Sequence, residues 1–454
     1  SMKGERYLAG LTLTEDKGTV KADAEYNMAS NSYNAKVSVD KLQVNHFLPK
    51  NTIYSLTASF DAAGEGTDFF SAKTKLNGGF KLQELQYDKS TFTGIDLKAK
   101  LQNSLAEVVL KSESRLLKMD ANLTALLHKK LTKGELTMYV RDIDLYRLRF
   151  IKHPLKDPIA FTVNASTNSG ETSLELHSGD MELSLNSRIP IKNFIKEATN
   201  LSTIITKQIQ QKRLNHQELS EAIPSAQFSF MAGKKNPLSE YLAFSKISFQ
   251  DASVNLTSTQ KEGLAGGVQL HSLQVDSVLL DTVRLAIRQD TAGIHLHAGV
   301  INNKFNKQYV FQAYADGVVQ DDNAEVMLKY LNAKGETGAD LGIRAQLEEG
   351  GVSYNLFPDQ PILLFRPFKL NKDNRIFIDK ENRVTANLDL QDKNGMGLFV
   401  HSVENAEAQQ DIIGELRNLD LKEVVQSLPY LPDIGGILSA KAEYIQKNNR
   451  FQVI

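Results

Sequence analysis

Cysteine is absent from the 454 residues, which excludes disulfide staples, thiolate catalysis and cysteine-ligated metals. That absence leaves the compartment open, although an oxidising one suits a chain with no stray thiols. Tryptophan is absent too. Neither charge sign is in excess: 53 basic residues stand against 54 acidic ones, a net charge of −1. Nucleic-acid binding or polybasic attraction to an anionic membrane would need a basic face, and the sequence offers none. No run of about 18 apolar residues occurs, so no helical membrane span is expected. Catalytic signatures are missing as well: there is no G-x-S-x-G, H-E-x-x-H or P-loop. The expectation is a protein that is not an enzyme, with no catalytic residues, no metal ligands and no cofactor.

What the chain does have is alternation. Most of it reads with period two, the pattern of half-buried strands. "LTMYV" sets Leu136, Met138 and Val140 on one face. "IHLHAGV" does the same with Ile294, Leu296, Ala298 and Val300, leaving His295 and His297 opposite. "LGIRAQL" contributes Leu341, Ile343, Ala345 and Leu347, and "VSYNL" contributes Val352, Tyr354 and Leu356. "MELSL", "FTVNA", "FSF" and "ANLDL" continue the theme. Turn chemistry separates the runs: "EDKG", "AAGEG", "NGG", "TNSG", "KEGLAGG", "AKGETG", "EEGG" and "DKNG". The reading is roughly two dozen strands, largely joined as hairpins and therefore antiparallel.

One segment breaks the period. After Pro190, which suits a first helical turn, Ile191, Phe194, Ile195, Ala198, Leu201, Ile204, Ile205 and Ile209 fall on one stripe. A second helical piece is expected from the N-cap Asn215, with Glu218 three residues on, to a stop before Pro224. A third, short one is expected near 237–244. The polar side of the long helix carries Lys192, Lys196, Lys207, Lys212 and Arg213 against Glu197, a mild mark of a membrane-surface helix. The preferred reading is that its isoleucines cap or plug the apolar face of the sheet. Composition alone favours a sandwich of two sheets. The sharper alternative is a sheet curled into a partly open trough, because large exposed apolar faces usually serve a ligand or partner.

A stretch of the sequence recurs. "VSVDKLQVNHFLP" (37–49), "LTMYVRDIDLYRLRF" (136–150) and "IIGELRNLDLKEVV" (412–425) align Leu42 with Ile143 and Leu419, and Val44 with Leu145 and Leu421. Phe47, Leu148 and Val424 match again. Each copy reads as a strand that leaves the sheet, turns once as a helix and re-enters through a proline corner. Units of this kind stack in one dimension, which shifts the weight from a sandwich to an elongated sheet.

The unit "LDLKEVVQSLPYLPDIGGILSAKAEY" resembles the repeat of the AsmA/TamB superfamily, and 60–103 resembles the part that follows it. The helix followed by "IPSAQFSFMAGKKNPLSEYLAF" is similar to a TamB-like translocation and assembly module of the Bacteroidetes type. The resemblance implies a periplasmic segment of an inner-membrane-anchored protein from a diderm bacterium. It implies a bridge-like lipid-transfer role, with a taco-shaped apolar groove for phospholipid and support for outer-membrane protein assembly. The implied partners are phospholipid, an outer-membrane barrel of the TamA/BamA type, and the inner membrane through an N-terminal anchor not present here. The helical segment departs from the family's β unit as a large insertion. "SMKGERYLAG" and "RFQVI" read as the ends of an excised piece.

The expected fold is mainly β: an elongated, curled antiparallel sheet with a helical insertion near 190–223. The segments are 1–135 and 136–189 as β repeats, 190–245 as the helical insertion, 246–411 as antiparallel β, and 412–454 as a further repeat cut short. Groove lining is expected from Ile294, Leu296, Ala298, Val300, Leu341, Ile343, Leu347, Val352 and Leu356, with the inward parity inferred from polarity. His295 and His297 could hold a metal from one strand face, but the nine histidines are scattered and a surface pair is preferred. Asp321 and Asp322 read as a solvated hairpin. Two other functions stay open: a scaffold receiving client β-strands at its edges, and an extracellular β-rich binding module, which the missing tryptophan disfavours.

Overall fold

The structure, a computed structural model, describes every residue except 1, 4, 49–51, 129, 212–213, 304–308, 406–407, 428–430, 448–449 and 454. Pro49, Lys212, Arg213 and the 428–430 part of the last corner lie outside the described residues. The chain is mainly β, with 64% of residues in strands and 11% in helices. It divides into two units, Ser1–Ile195 with Ala226–Ser245, and Lys196–Ser225 with Lys246–Ile454.

Alternation and tight turns dictate the ladder within each unit. In the first, each strand from Arg6–Glu15 to Met181–Ser187 pairs antiparallel with its successor, and Met181–Ser187 pairs with Ala226–Ala232. The Asn103-Ser104 hairpin has both residues at positive φ, 51° and 64°, as a tight two-residue turn requires. In the second unit the same meander runs from Asp251–Thr259 to Ile437–Lys447. There two short strands, Arg366–Leu370 and Arg375–Asp379, together bridge Gly351–Leu363 and Val384–Asp392.

Five helices punctuate the described strands: α1 (Val44–Phe47), α2 (Ile191–Gln211), α3 (His216–Ala222), α4 (Pro237–Ala243) and α5 (Leu421–Ser427). Pro190 stands just before α2 and its carbonyl accepts from the Asn193 and Phe194 N–H groups. Asn215 caps α3 by accepting from the Glu218 N–H at 2.9 Å, and Asn236 caps α4 from the Ser239 N–H at 2.9 Å. Among the described residues no helix is long and apolar enough to cross a membrane.

Two sequence expectations need correction. "NGG", the "AAGE" of "AAGEG" and the "LAGG" of "KEGLAGG" are not turns; they lie inside the strands Lys75–Tyr87, Ile53–Glu65 and Gly263–Val275. The glycines of "LAGG" answer to close backbone approach. A Cβ on Gly266 (φ +143°) would stand 2.0 Å from the Asn255 carbonyl oxygen, and one on Gly267 would stand 2.5 Å from that of Leu285. The repeat is also less uniform than its sequence. The first and last copies pass from strand to α1 and α5, whereas residues 144–149 make only turns, pinned by the Arg147 N–H donating to Asp144 Oδ1.

Where the copies agree, they agree in detail. Val39 opposes Ala58 and Leu42 opposes Leu56; Leu416 opposes Ala440 and Leu419 opposes Leu438. Each strand thus carries one extra residue, a β-bulge that lets two leucine or valine positions three apart share a face. Lys41 and Asn418 sit at the bulge with φ of 50° and 51°. The freed N–H of Lys41 donates to Thr57 Oγ1 at 3.0 Å, and that of Asn418 to Ser439 Oγ at 2.9 Å. The hydroxyl after leucine in "LTA" and "LSA" is therefore a bulge acceptor.

The buried core of the second unit gathers Phe368, Leu370, Leu388, Leu390 and Met396, with Leu356, Ile376 and Val400 packed against it. Beside it Asp392, whose side chain is fully buried, accepts from Arg366 at 3.1 Å, and Arg366 also reaches Glu423 of α5. Burial pushes the Asp392 carboxyl up, but Arg366 and the N–H groups of Met396 and Asn394 outweigh it and hold it below the ordinary aspartate value. A carboxylate lowered in this way stabilises the fold above about pH 4 and loses that contribution as pH falls through its folded value. Arg366→Ala is expected to cost roughly 2–3 kcal/mol at neutral pH. Urea unfolding of the variant and the parent should show the gap narrowing below about pH 4.

Candidate functional site: an open apolar sheet face

Opposed residues of an antiparallel pair share a face, so the register traces each face from strand to strand. In the first unit one row runs Leu11, Ala22, Val37, Phe60, Phe80, Leu97, Leu110, Ala121, Met138, Val163, Leu176, Leu183 and Phe230. It crosses thirteen strands without a polar residue. In the second unit one row runs Leu256, Gly266, Ile287, Leu296, Gly317, Val326, Ile343 and Leu356. Its neighbours run Val254, Val268, Leu285, Ala298, Ala315, Leu328 and Leu341, and Ile294, Val319, Ala324, Ala345, Tyr354 and Ile376. None of these rows carries a charge.

All nine residues expected to line a groove fall on this one face of the second unit; Leu347 opposes Val352, and Val300 opposes Ala313. They do not share one environment. Leu296 and Ile343 are more than a third exposed, as are Leu285, Val326 and Leu328 beside them. Leu356 instead packs against the buried core. A closed sandwich, the arrangement composition favours, would have buried the middle of this face, and the exposure there excludes it. Leu285, Val319, Val326, Leu328 and Tyr354 belong to the same surface; the first four were missed, although "EVMLKYL" alternates as clearly as the runs quoted.

The opposite face is polar. His295 and His297 lie on it and each meets an aspartate, Asp290 at 3.2 Å and Asp316 at 2.5 Å. Arg344 ion-pairs with Glu325 at 2.5 Å and lies over the Phe357 ring. Among the described residues no group of three His, Cys, Asp or Glu side chains is placed to hold a metal.

No family model, curated protein or solved structure matches this chain.

At one end the apolar face runs beneath helices. Ile205, Gln208 and Ile209 of α2, Leu214, and Leu219 of α3 face Val319, Ala324, Ala345, Leu347, Val352 and Tyr354 across a cavity of about 430 Å³. The expected plug is thus a roof: the helices cover this end without filling it, and Ile209 stays 72% exposed. The Asp321–Asp322 hairpin borders the same cavity, and Asp321 stands 3.3 Å from His216 Nδ1.

Openness of the face has a measurable consequence. Leu328, 43% exposed, should tolerate serine at a cost below about 1 kcal/mol, while Leu388, 4% exposed, should lose roughly 3–5 kcal/mol on the same change. Denaturant midpoints of the two variants decide it.

Proposed function

We propose that the apolar faces bind the acyl chains of phospholipids, and that the chain is a periplasmic segment of a TamB-like lipid bridge between the inner and outer membranes. The observation that carries this reading is a charge-free face repeated strand after strand and left exposed at Leu285, Leu296, Val326, Leu328 and Ile343. A monomer leaving so much contiguous apolar surface in water needs an occupant. The shared bulge in the first and last repeats, with Lys41 and Asn418 held by Thr57 and Ser439, supports the internal repeat on which the resemblance was read.

The mechanism is passive. Each methylene withdrawn from water gains about 0.8 kcal/mol, and the headgroup keeps its hydration beyond the rim of the face. Because successive strands offer similar leucine, valine and alanine surfaces, neighbouring positions are close in energy and a chain slides between them without a deep trap. A partner barrel in the outer membrane would receive the lipid, and outer-membrane protein assembly would follow from the membrane supply.

Native mass spectrometry and solvent extraction of the purified chain should find several phospholipids per molecule. Ile343→Asp, which places a charge in the middle of the face, should lower that number by about half or more. Lys329→Glu, on the opposite face, should leave it unchanged. A monodisperse, lipid-free protein would sink this reading and favour a scaffold for client β-strands.

A further inference from the structure

The roofed end of the second unit's apolar face differs from the open remainder in two ways. The helices above it are tied by polar bonds as well as by the buried Ala222 and Ile223 at the end of α3. Gln208 is buried; its amide donates to the Asn215 carbonyl at 3.2 Å and to Glu218 at 3.0 Å, and accepts from the Asn215 N–H at 2.9 Å. Gln289 of the sheet donates to the His216 carbonyl at 2.6 Å, and Ser258 donates to the Pro224 carbonyl at 2.6 Å. These latches fix the height of the roof, so the cavity stays open although leucine and isoleucine line both sides. A partly open, largely apolar cavity of this size falls in the range of small-ligand sites.

Volume and charge narrow the occupant. Taking a methylene at about the room of one water in liquid, roughly 30 Å³, a cavity of about 430 Å³ has room for an acyl chain. The rim carries Asp321 and Asp322, and among the described residues no lysine or arginine lines the cavity. A carboxylate or a net-anionic headgroup would meet like charge there; an ammonium would meet opposite charge. We infer that this cavity seats one acyl chain of a zwitterionic, ammonium-bearing phospholipid, its headgroup amine at the Asp321–Asp322 hairpin and its second chain on the open face. The helical insertion would then give the slide one defined stopping place, at the end where the face is roofed. The assignment rests on the acyl-chain reading of the face.

The absence of tryptophan makes the test direct. Ile205→Trp places a single emitter at the cavity, and Leu285→Trp places one on the open face. Phosphatidylethanolamine with brominated chains, delivered from cyclodextrin, should quench the Trp at 205 at concentrations about tenfold lower than phosphatidylglycerol with the same chains. Adding Ala345→Phe, or separately the smaller Ala324→Leu, should weaken quenching at 205 about tenfold and leave quenching at 285 as it was. Quenching at 285 with none at 205 would overturn the cavity assignment while the face reading stands. Equal quenching at 205 by both lipids would overturn the ammonium assignment. No quenching at either position would overturn the acyl-chain reading of the face, and the cavity assignment with it.

Discussion

In an antiparallel ladder the polarity of one strand is handed to the next, because opposed residues point the same way. A slip of one residue anywhere would send leucines to the polar side and lysines among them. The rest of this molecule depends on that parity being kept across every hairpin of each unit. Tight turns keep it between strands; within strands, bulges restore it where the sequence spaces its apolar residues by three. At Lys41 and at Asn418 the extra residue is accommodated at positive φ, and its N–H is received by a hydroxyl on the next strand. Two chemically modest contacts thus hold Val39 with Leu42, and Leu416 with Leu419, on one face.

Keeping an apolar face open has a cost in stability, and the fold meets it locally. Phe368, Leu370, Leu388, Leu390 and Met396 form a buried cluster where two short strands bridge the ladder, and Asp392 with Arg366 ties that cluster to α5. The face around Leu328 contributes little to holding the fold. It is free to serve something else, which is why its exposure carries functional weight while the buried cluster does not.

Much of this was legible in the sequence, and for a physical reason: period two is a direct image of a half-buried strand. The cap Asn215 could be read from residue type and spacing, since a side chain that satisfies orphan N–H groups has few alternatives. The nine lining positions shared a face because polarity alone fixes parity. What alternation cannot encode is distance from the core. Leu356 and Ile343 read alike in the sequence, yet one packs into the cluster and the other faces out. Glycine misled for a related reason. "NGG" carries turn chemistry, but Gly78 and Gly79 lie within a strand, where residues from elsewhere in the chain decide what fits. A cover by the isoleucines of α2 was foreseen, and the space left beneath it depends on latches such as Gln289 to His216 of α3 that no local pattern announces.

The most direct test of the account is photocrosslinking at paired, adjacent positions on opposite faces. A photoreactive amino acid at Leu296, Leu328 or Ile343 should yield phospholipid adducts in cells, and the same group at His297, Lys329 or Arg344 should yield none. Adducts confined to the first set would tie lipid to one parity of one sheet. Equal adducts on both sets, or protein adducts alone on the first, would contradict the claim that the apolar face is a surface for acyl chains.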